Sequence, residues 1–405
     1  MPPPALCHAA DRTLEAGAAE LIAAFRDAIE GRQRALPPAP LRGVVGRLAR
    51  AHRISALLAG TYDPGAEGSD PFHAGLVEFY RGSAARNLFA QHVLGRALEA
   101  LEGAGVRAIV LKGAVLGPVL YEDLALRPMS DMDMVVRPED RERAGAALSG
   151  AGFVEMGFPA YRTDPAQGVQ PVDSYAFYAD STRETIELHW DLARRYDPVN
   201  FLGDPIARAV SVEAGGRQIW TLDPTDTLHH LGIHLSDVGN RSQRLLWYAD
   251  IALLLRRSGA QLDVDRLVHD AQAWGSRDGL TRVLSTLHHA LGIELGPLLG
   301  PRGFLANETL AQPALAIALS VPHDRQLDKA TEDATLLAAV LRTPGFAGKL
   351  RVVGGMVFVS PATMRRRYDI PEGAPLKLMF AYVRRAAAAA WRVLRALQGS
   401  RQGPP

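Results

Sequence analysis

The sequence predicts a mixed α/β core set between helical regions, and three observations carry that prediction. Apolar residues recur at helical spacing before residue 100 and again after residue 222. Between them, short apolar strands alternate with helices. Two of those strands bracket Val110 to Val136, VLKGAVLGPVLYEDLALRPMSDMDMVV, the densest chemistry in the chain. The expected organisation is a helical region over 1–100, the α/β core over 101–222, a helical domain over 223–345, and a basic segment over 346–405 ending in a helix.

Within the first region, Leu14, Ala18, Leu21, Ile22 and Phe25 share one helical face, and Leu41, Val44, Leu48, His52 and Leu57 another. Pro37-Pro38 and Pro40 separate the two helices, Tyr62-Asp63-Pro64-Gly65 marks a turn, and a long helix runs from about Asp70 to Gly103. In the core, Arg107 to Leu111 reads as a strand ending in Lys112-Gly113, and Met132 to Val136 as a second strand. Pro138 to Gly150 is an expected helix with proline in its first turn. Short strands are expected at 152–156, 173–179 and 185–190. The third region offers helices from Asp223 through His234, over 245–257, 262–274 and 282–291, before Gly300-Pro301-Arg302-Gly303 breaks the pattern.

Composition excludes several classes. Hydrophobic content of 47% and charged content of 22% over 405 residues are those of a globular protein of two or three domains. Cys7 is the only cysteine, which excludes a disulfide framework and a cysteine-based metal site. No stretch of about twenty residues is free of charge, which argues against a membrane span. The first twenty residues lack the basic-then-apolar pattern of a signal peptide, so a cytoplasmic location is expected. Residues 351–405 carry nine Arg and one Lys against Asp369 and Glu372, a net +8, leaving −7 for the rest of a chain of net +1. The final helix, expected over Pro375 to Gln398, places Lys377, Arg384, Arg385, Arg392 and Arg395 around Leu378, Phe380, Ala381, Trp391 and Leu394. A solvated face, or pairing with the acidic remainder of the chain, is the ordinary role for such charges. Contact with a membrane or nucleic acid is the alternative.

The chemistry centres on Asp131 and Asp133. Residues two apart on a strand point the same way, so both carboxylates project from one face while Met132 and Met134 enter the core. Adjacent carboxylates repel unless a cation lies between them, and magnesium is the usual partner of oxygen ligands that handle phosphates. Glu187, which shares a strand face with His189, offers the third carboxylate of a metal cage. Such a trio suits binding of triphosphate oxygens and in-line displacement at the α-phosphate. Gly113 lets backbone N–H groups approach a phosphate, and Ser130 is a donor beside the acidic pair. Lys112 can charge-pair a phosphate or neutralise the carboxylates. Arg127 is expected either to clamp a phosphate oxygen or to serve as a structural partner. His230 and His234 stand four apart on a helix, the spacing of a zinc pair. Position 231 is Leu and no cysteine completes a site, so packing or acceptor contact is expected instead.

The ordered set LKG, LY, LRPMSDMDMVV and AGF, then IELHW, then LHHLGIHL and LLWYADIALLL resembles an uncharacterised bacterial nucleotidyltransferase family, related to the DNA polymerase β-like superfamily. The resemblance covers most of residues 80–370. It implies a nucleotidyltransferase-like core and magnesium-dependent (or manganese-dependent) transfer of a nucleoside monophosphate from an NTP, ATP first, to a small molecule or peptide, in the setting of natural-product tailoring. By that carry-over Asp131, Asp133 and Glu187 are the metal ligands and catalytic trio; the residues themselves put Lys112, Gly113 and Ser130 on the nucleotide side, with Arg127 a phosphate contact or a structural partner. His189, His230 and His234 are left as supporting or acceptor-side residues. The superfamily often has Gly-Ser after the first strand, where this chain has Gly113-Ala114. The rival readings are a non-catalytic nucleotide- or partner-binding member, and a toxin–antitoxin-type enzyme acting on protein or tRNA.

Overall fold

The computed structural model describes residues 4–65, 70–155, 160–164, 168–172, 175–179, 184–190, 206–238, 244–298, 303–304, 308–319, 365, 370–371 and 373–384. In chain order the helices are α1 (Pro4–Glu30), α2 (Ala39–Ala51), α3 (Ser55–Ala59), α4 (Pro71–Gly103), α5 (Gly113–Leu120), α6 (Arg141–Gly150), α7 (Pro224–Val238), α8 (Leu245–Ser258), α9 (Val264–Ala273), α10 (Arg277–Ser285) and α11 (Ala314–Leu319). The strands are β1 (Arg34–Ala35), β2 (Tyr62–Asp63), β3 (Ile109–Leu111), β4 (Met132–Val135), β5 (Val154–Glu155), β6 (Ala160–Asp164), β7 (Gly168–Val172), β8 (Tyr175–Ala179), β9 (Thr185–His189), β10 (Val210–Ala214) and β11 (Arg217–Thr221). The expected mixed α/β core between helical regions is what the chain forms. It divides into two compact units that interleave along the sequence, one of Met1–Leu98, Arg107–Val135 and Tyr196–Val321, the other of Glu99–Val106, Val136–Arg195 and Pro322–Pro405.

The first unit carries the strand order β10-β11-β3-β4. β10 and β11 are an antiparallel hairpin, β11 runs parallel to β3, and β3 is antiparallel to β4, so the sheet is mixed. The hairpin turns at Gly215 and Gly216, both with positive φ, as two-residue turns that follow the strand twist require. Every residue of β3 and β4 is buried, and α5 packs against both strands. Helical packing does the rest. α1 lies against α2, α8 and α11, and α7 against α8, α9 and α10. The contacts are cross-braced through backbone acceptors. Arg26 of α1 donates to the carbonyls of Leu291 and Ala290, and Arg256 of α8 donates to that of Ile29. Asp70 caps α4 by accepting from Phe72 N–H at 2.8 Å, a local reason for the helix to begin there.

In the second unit β8 pairs antiparallel with both β9 and β5, and β6 with β7. α6 begins directly after a short 3-10 turn at Pro138–Asp140, as proline in the first turn predicts. Residues 375–384 are helical, with Ala381 packed against Ile370, Ala374, Leu378 and Tyr382. Leu376, Met379, Phe380 and Val383 face outward. The part of the expected C-terminal helix beyond residue 384, with Arg385, Arg392 and Arg395, lies outside the described residues, as does most of 320–369.

One buried side chain sets a pH dependence. His229 of α7 lies 2.7 Å from Ser276 Oγ and packs against Trp274. Burial, with the Arg266 charge adding, lowers its pKa from 6.5 to about 4. The unfolded chain takes up a proton below pH 6.5 that the folded ring refuses until about 4, so stability falls as pH drops through that window and levels off below it. The window is expected to be worth about 3 kcal/mol. Urea denaturation from pH 7 to pH 4 should show that slope in the parent and a flatter one in His229→Gln; equal slopes would assign the dependence elsewhere.

Candidate active site

The first unit places β3 and β4 antiparallel with Leu111 opposite Asp133. The chain then turns sharply at Lys112, which adopts φ 49° and ψ −129°, a conformation that costs a non-glycine residue about 1–3 kcal/mol. Lys112 Nζ donates to Asp133 Oδ1 at 2.7 Å. The Asp133 side chain is 4% exposed and that of Lys112 is 17% exposed, so the ammonium compensates a carboxylate shut away from water. Of the two roles expected for Lys112, this arrangement has the neutralising one. Met132 and Met134 are buried, as expected. Asp133 is buried too, whereas Asp131 sits one residue before the strand and is exposed. The two carboxylates therefore occupy different dielectric surroundings.

Gly113 starts α5. A Cβ there would strike the Arg127 guanidinium and Met129, so packing alone demands glycine. Ala114 is fully buried, and its carbonyl accepts from Gln91. A hydroxyl at position 114 would thus be buried in this structure.

Arg127 takes the structural role of its two expected ones. Its Nε and Nη2 donate to the two Asp250 oxygens at 2.9 and 2.7 Å, and the Tyr121 hydroxyl donates to Asp250 Oδ1 at 2.8 Å. Arg127 is 7% exposed and Asp250 is fully buried, so this guanidinium is not available to a phosphate. Burial opposes the Arg127 charge, but Asp250 outweighs it and raises the pKa. Burial, and then the Asp250 charge, push the Tyr121 phenol well above its ordinary range, so it remains a donor. From α4, Asn87 Nδ2 donates to the carbonyls of Leu124 and Arg127, while its Oδ1 accepts from Met129 N–H.

Ser130 and Asp131 lie at the open end of this pinned loop. Ser130 Oγ donates to Asp131 Oδ1 at 3.1 Å and accepts from Arg53 Nη1 at 3.3 Å. Arg53 did not stand out in the sequence. Its signals were only the turn after α2 and a run of arginines with no acidic neighbour. Asp250 was more legible, as the lone carboxylate in the apolar run LLWYADIALLL, since a buried charge demands a partner.

In the second unit Glu187 and His189 share a face of β9, opposite the fully buried Ile186 and Leu188, as alternation predicted. His189 Nε2 pairs with Glu187 Oε2 at 3.2 Å, and the side chains are 7% and 13% exposed. The His189 carbonyl accepts from the N–H of Val136, the residue that follows β4. His234 of α7 meets Trp247 edge-on, with centroids 5.2 Å apart. Among the described residues, neither His230 nor His234 belongs to a group of three metal-ligating side chains. No helix among the described residues is long and apolar enough to cross a membrane.

With a strand-turn-strand unit bearing Lys112, Asp131 and Asp133 in view, the sequence comparison is decisive for the class. The chain belongs to the family of uncharacterised nucleotidyltransferases, whose sequence model matches residues 44–292. It is accordingly a nucleotidyltransferase, an enzyme of group transfer. Curated protein sequences give no significant match. Solved structures similar to this chain include the solution structure of the antibiotic-resistance factor ANT(2'')-Ia, at 12% identity over 48% of this chain and 94% of that one, with a TM-score of 0.34. Another is the crystal structure of ANT(2'')-Ia in complex with adenylyl-2''-tobramycin, at 14% identity over 46% and 97%, with a TM-score of 0.32.

The buried pair beneath the loop is open to a direct test. Arg127→Met leaves Asp250 as an unpaired buried carboxylate and is expected to cost about 3–5 kcal/mol. Arg127→Met/Asp250→Leu removes both charges and should recover much of the loss. Denaturant unfolding of the four proteins of the cycle reads the coupling. Purely additive losses would show that the two side chains do not act together.

Proposed function

We propose that the protein transfers a nucleoside monophosphate from an NTP, ATP first, to a small-molecule or peptide acceptor in a divalent-metal-dependent reaction. The observation that carries the reading is Asp133, buried two residues after Asp131 in a chain of this family and charge-compensated by Lys112. A buried carboxylate that holds an exchangeable cation is what a metal-dependent transfer site requires.

In this reading Asp131 and Asp133 hold the cation and Glu187 is the third carboxylate, oriented by His189 through its other oxygen. The donor types fit: carboxylate oxygens are the ligands that Mg²⁺ and Mn²⁺ take. A bound cation would supply Lewis-acid stabilisation of the charge that develops on the α-phosphate and the leaving pyrophosphate. Glu187 takes the proton of the attacking acceptor group as general base. Ser130 offers its hydroxyl to a phosphate oxygen. His230 and His234 are assigned to the acceptor side.

The test is incubation of the protein with each α-labelled NTP and Mg²⁺ or Mn²⁺, with and without a host lysate, following label transfer and pyrophosphate. Metal-dependent transfer is expected in the parent and not in Asp131→Ala/Asp133→Ala. Nucleotide binding without transfer would instead assign a non-catalytic member, and label on tRNA or protein a toxin-like acceptor. A second check needs no substrate. Lys112→Met is expected to lower stability by about 3 kcal/mol by stranding Asp133. Millimolar Mg²⁺ or Mn²⁺ should restore the variant's melting temperature more than it raises the parent's, because the cation takes the place of the ammonium. An equal response would argue against a cation at Asp133.

A further inference from the structure

Among the described residues of the first unit, Arg53 beside Ser130 is faced by three further guanidinium groups and by one carboxylate, Asp131. Arg53 follows α2 in the left-handed region, at φ 59°, and reaches Ser130 Oγ. Arg244 stands at the residue before α8, and the two are tied together by His52. This fully buried ring accepts the Leu245 N–H on Nδ1 at 3.2 Å and meets the Ala318 carbonyl through Nε2 at 2.9 Å. An Nδ1 that accepts leaves the proton on Nε2, so His52 is held as the neutral tautomer, with a hydrogen bond on each side. The Leu245 contact sets the turn carrying Arg53 against the start of α8, and the Ala318 contact ties the same ring to α11.

Arg244 lies over the Trp247 ring, 5.5 Å from its centroid, and its Nε is buried without a hydrogen-bond partner among the described residues. Arg127, also nearby, is already neutralised by Asp250. That leaves Asp131 as the carboxylate facing Arg53, against the charges of Arg244 and Arg86. Burial first, and then Arg244 and Arg127, disfavour the Arg53 charge, with Asp131 opposing and Arg86 adding. Like charges gathered beside the start of α8, at a strained residue and with a buried guanidinium nitrogen left without a partner among the described residues, form a seat for an anion.

We propose that Arg53 and Arg244 hold the β- and γ-phosphates of the incoming nucleoside triphosphate, with the Ser130 hydroxyl standing in for the serine that position 114 lacks. This rests on the proposed nucleotidyl transfer and adds residues from outside the strand-turn-strand unit. Arg53 and Arg244 come from the turn after α2 and the start of α8, so the helical parts of the first unit become part of the nucleotide site. Arg53 lies beside the hydroxyl that contacts Asp131, which puts the phosphate chain next to the acidic pair.

Titration calorimetry with inorganic tripolyphosphate, ATP and AMP separates this seat from the reaction itself. The parent should bind tripolyphosphate and ATP. Arg53→Gln and Arg244→Gln should each weaken both by about tenfold or more, the loss expected for one charge-assisted hydrogen-bond partner. AMP binding, which engages no β- or γ-phosphate, should not change. Arg53→Lys and Arg244→Lys keep the charge and serve where a glutamine variant does not fold; losing the planar fork should still weaken tripolyphosphate binding. Parent-like tripolyphosphate and ATP affinities in all four variants would overturn the proposal even if nucleotide transfer is intact, and so would a parent that binds neither probe. Arginine-dependent tripolyphosphate binding without transfer from any NTP would uphold the anion seat and sink the transfer reading.

Discussion

The site depends on one buried ion pair. Arg127 and Asp250 meet through two hydrogen bonds out of contact with water, and Asp250 also accepts from Tyr121. An uncompensated charge at either position would be costly, so the loop between α5 and β4 is fastened to α8 at two points, Tyr121 and Arg127. Asn87 holds its middle from α4 through three backbone groups. A loop fastened on these sides has little freedom left, and what emerges from it, Ser130 and Asp131, is positioned by the scaffold. The same guanidinium lies over Gly113 and makes glycine obligatory there. Residues that look like separate parts of a phosphate-binding motif are thus partly joined by packing.

This arrangement grades the dielectric along a few residues. Asp131 faces solvent, and Asp133 is buried within β4. An exposed carboxylate exchanges water for a cation at little cost, whereas a buried one must always have a partner. Lys112 supplies that partner by means of a strained backbone. The strain at Lys112 is offset by the contact it makes possible, since without the ammonium Asp133 would be a buried charge with its near cation removed.

Much of this was legible in the sequence, for reasons that differ from residue to residue. Alternation at 132–135 and 185–189 put Asp133, Glu187 and His189 on strands, because a two-residue period matches the pleat of a strand and not the turn of a helix. The hairpin of β10 and β11 was also signalled, by Gly215-Gly216 between two alternating runs, though it was not among the expected strands. The β6–β7 pair was not expected either. Arg127 shows the limit of motif reasoning: beside an acidic pair it has the composition of a phosphate clamp, and its true partner lies 123 residues away. Long-range pairing of that kind leaves no local period. The lone Asp250 in an apolar helix was the only trace, and it announced a buried cation without saying which one.

Arg53 and Arg244 were hidden by the same logic. In a chain where 41 of 45 basic residues are arginine, one more arginine at the end of a helix carries no information. Only the fold distinguishes them, by bringing together two helix ends through a doubly bonded neutral histidine. His52 does more here than fill space. A core histidine could be replaced by an apolar side chain if packing were its purpose, but no apolar side chain accepts an N–H on one edge and donates to a carbonyl on the other. The polar ring therefore fixes the turn after α2 against two elements, the first turn of α8 and α11. The contact with α8 sets the turn carrying Arg53 beside the hydroxyl that bonds Asp131, which is the geometry the proposed phosphate seat uses.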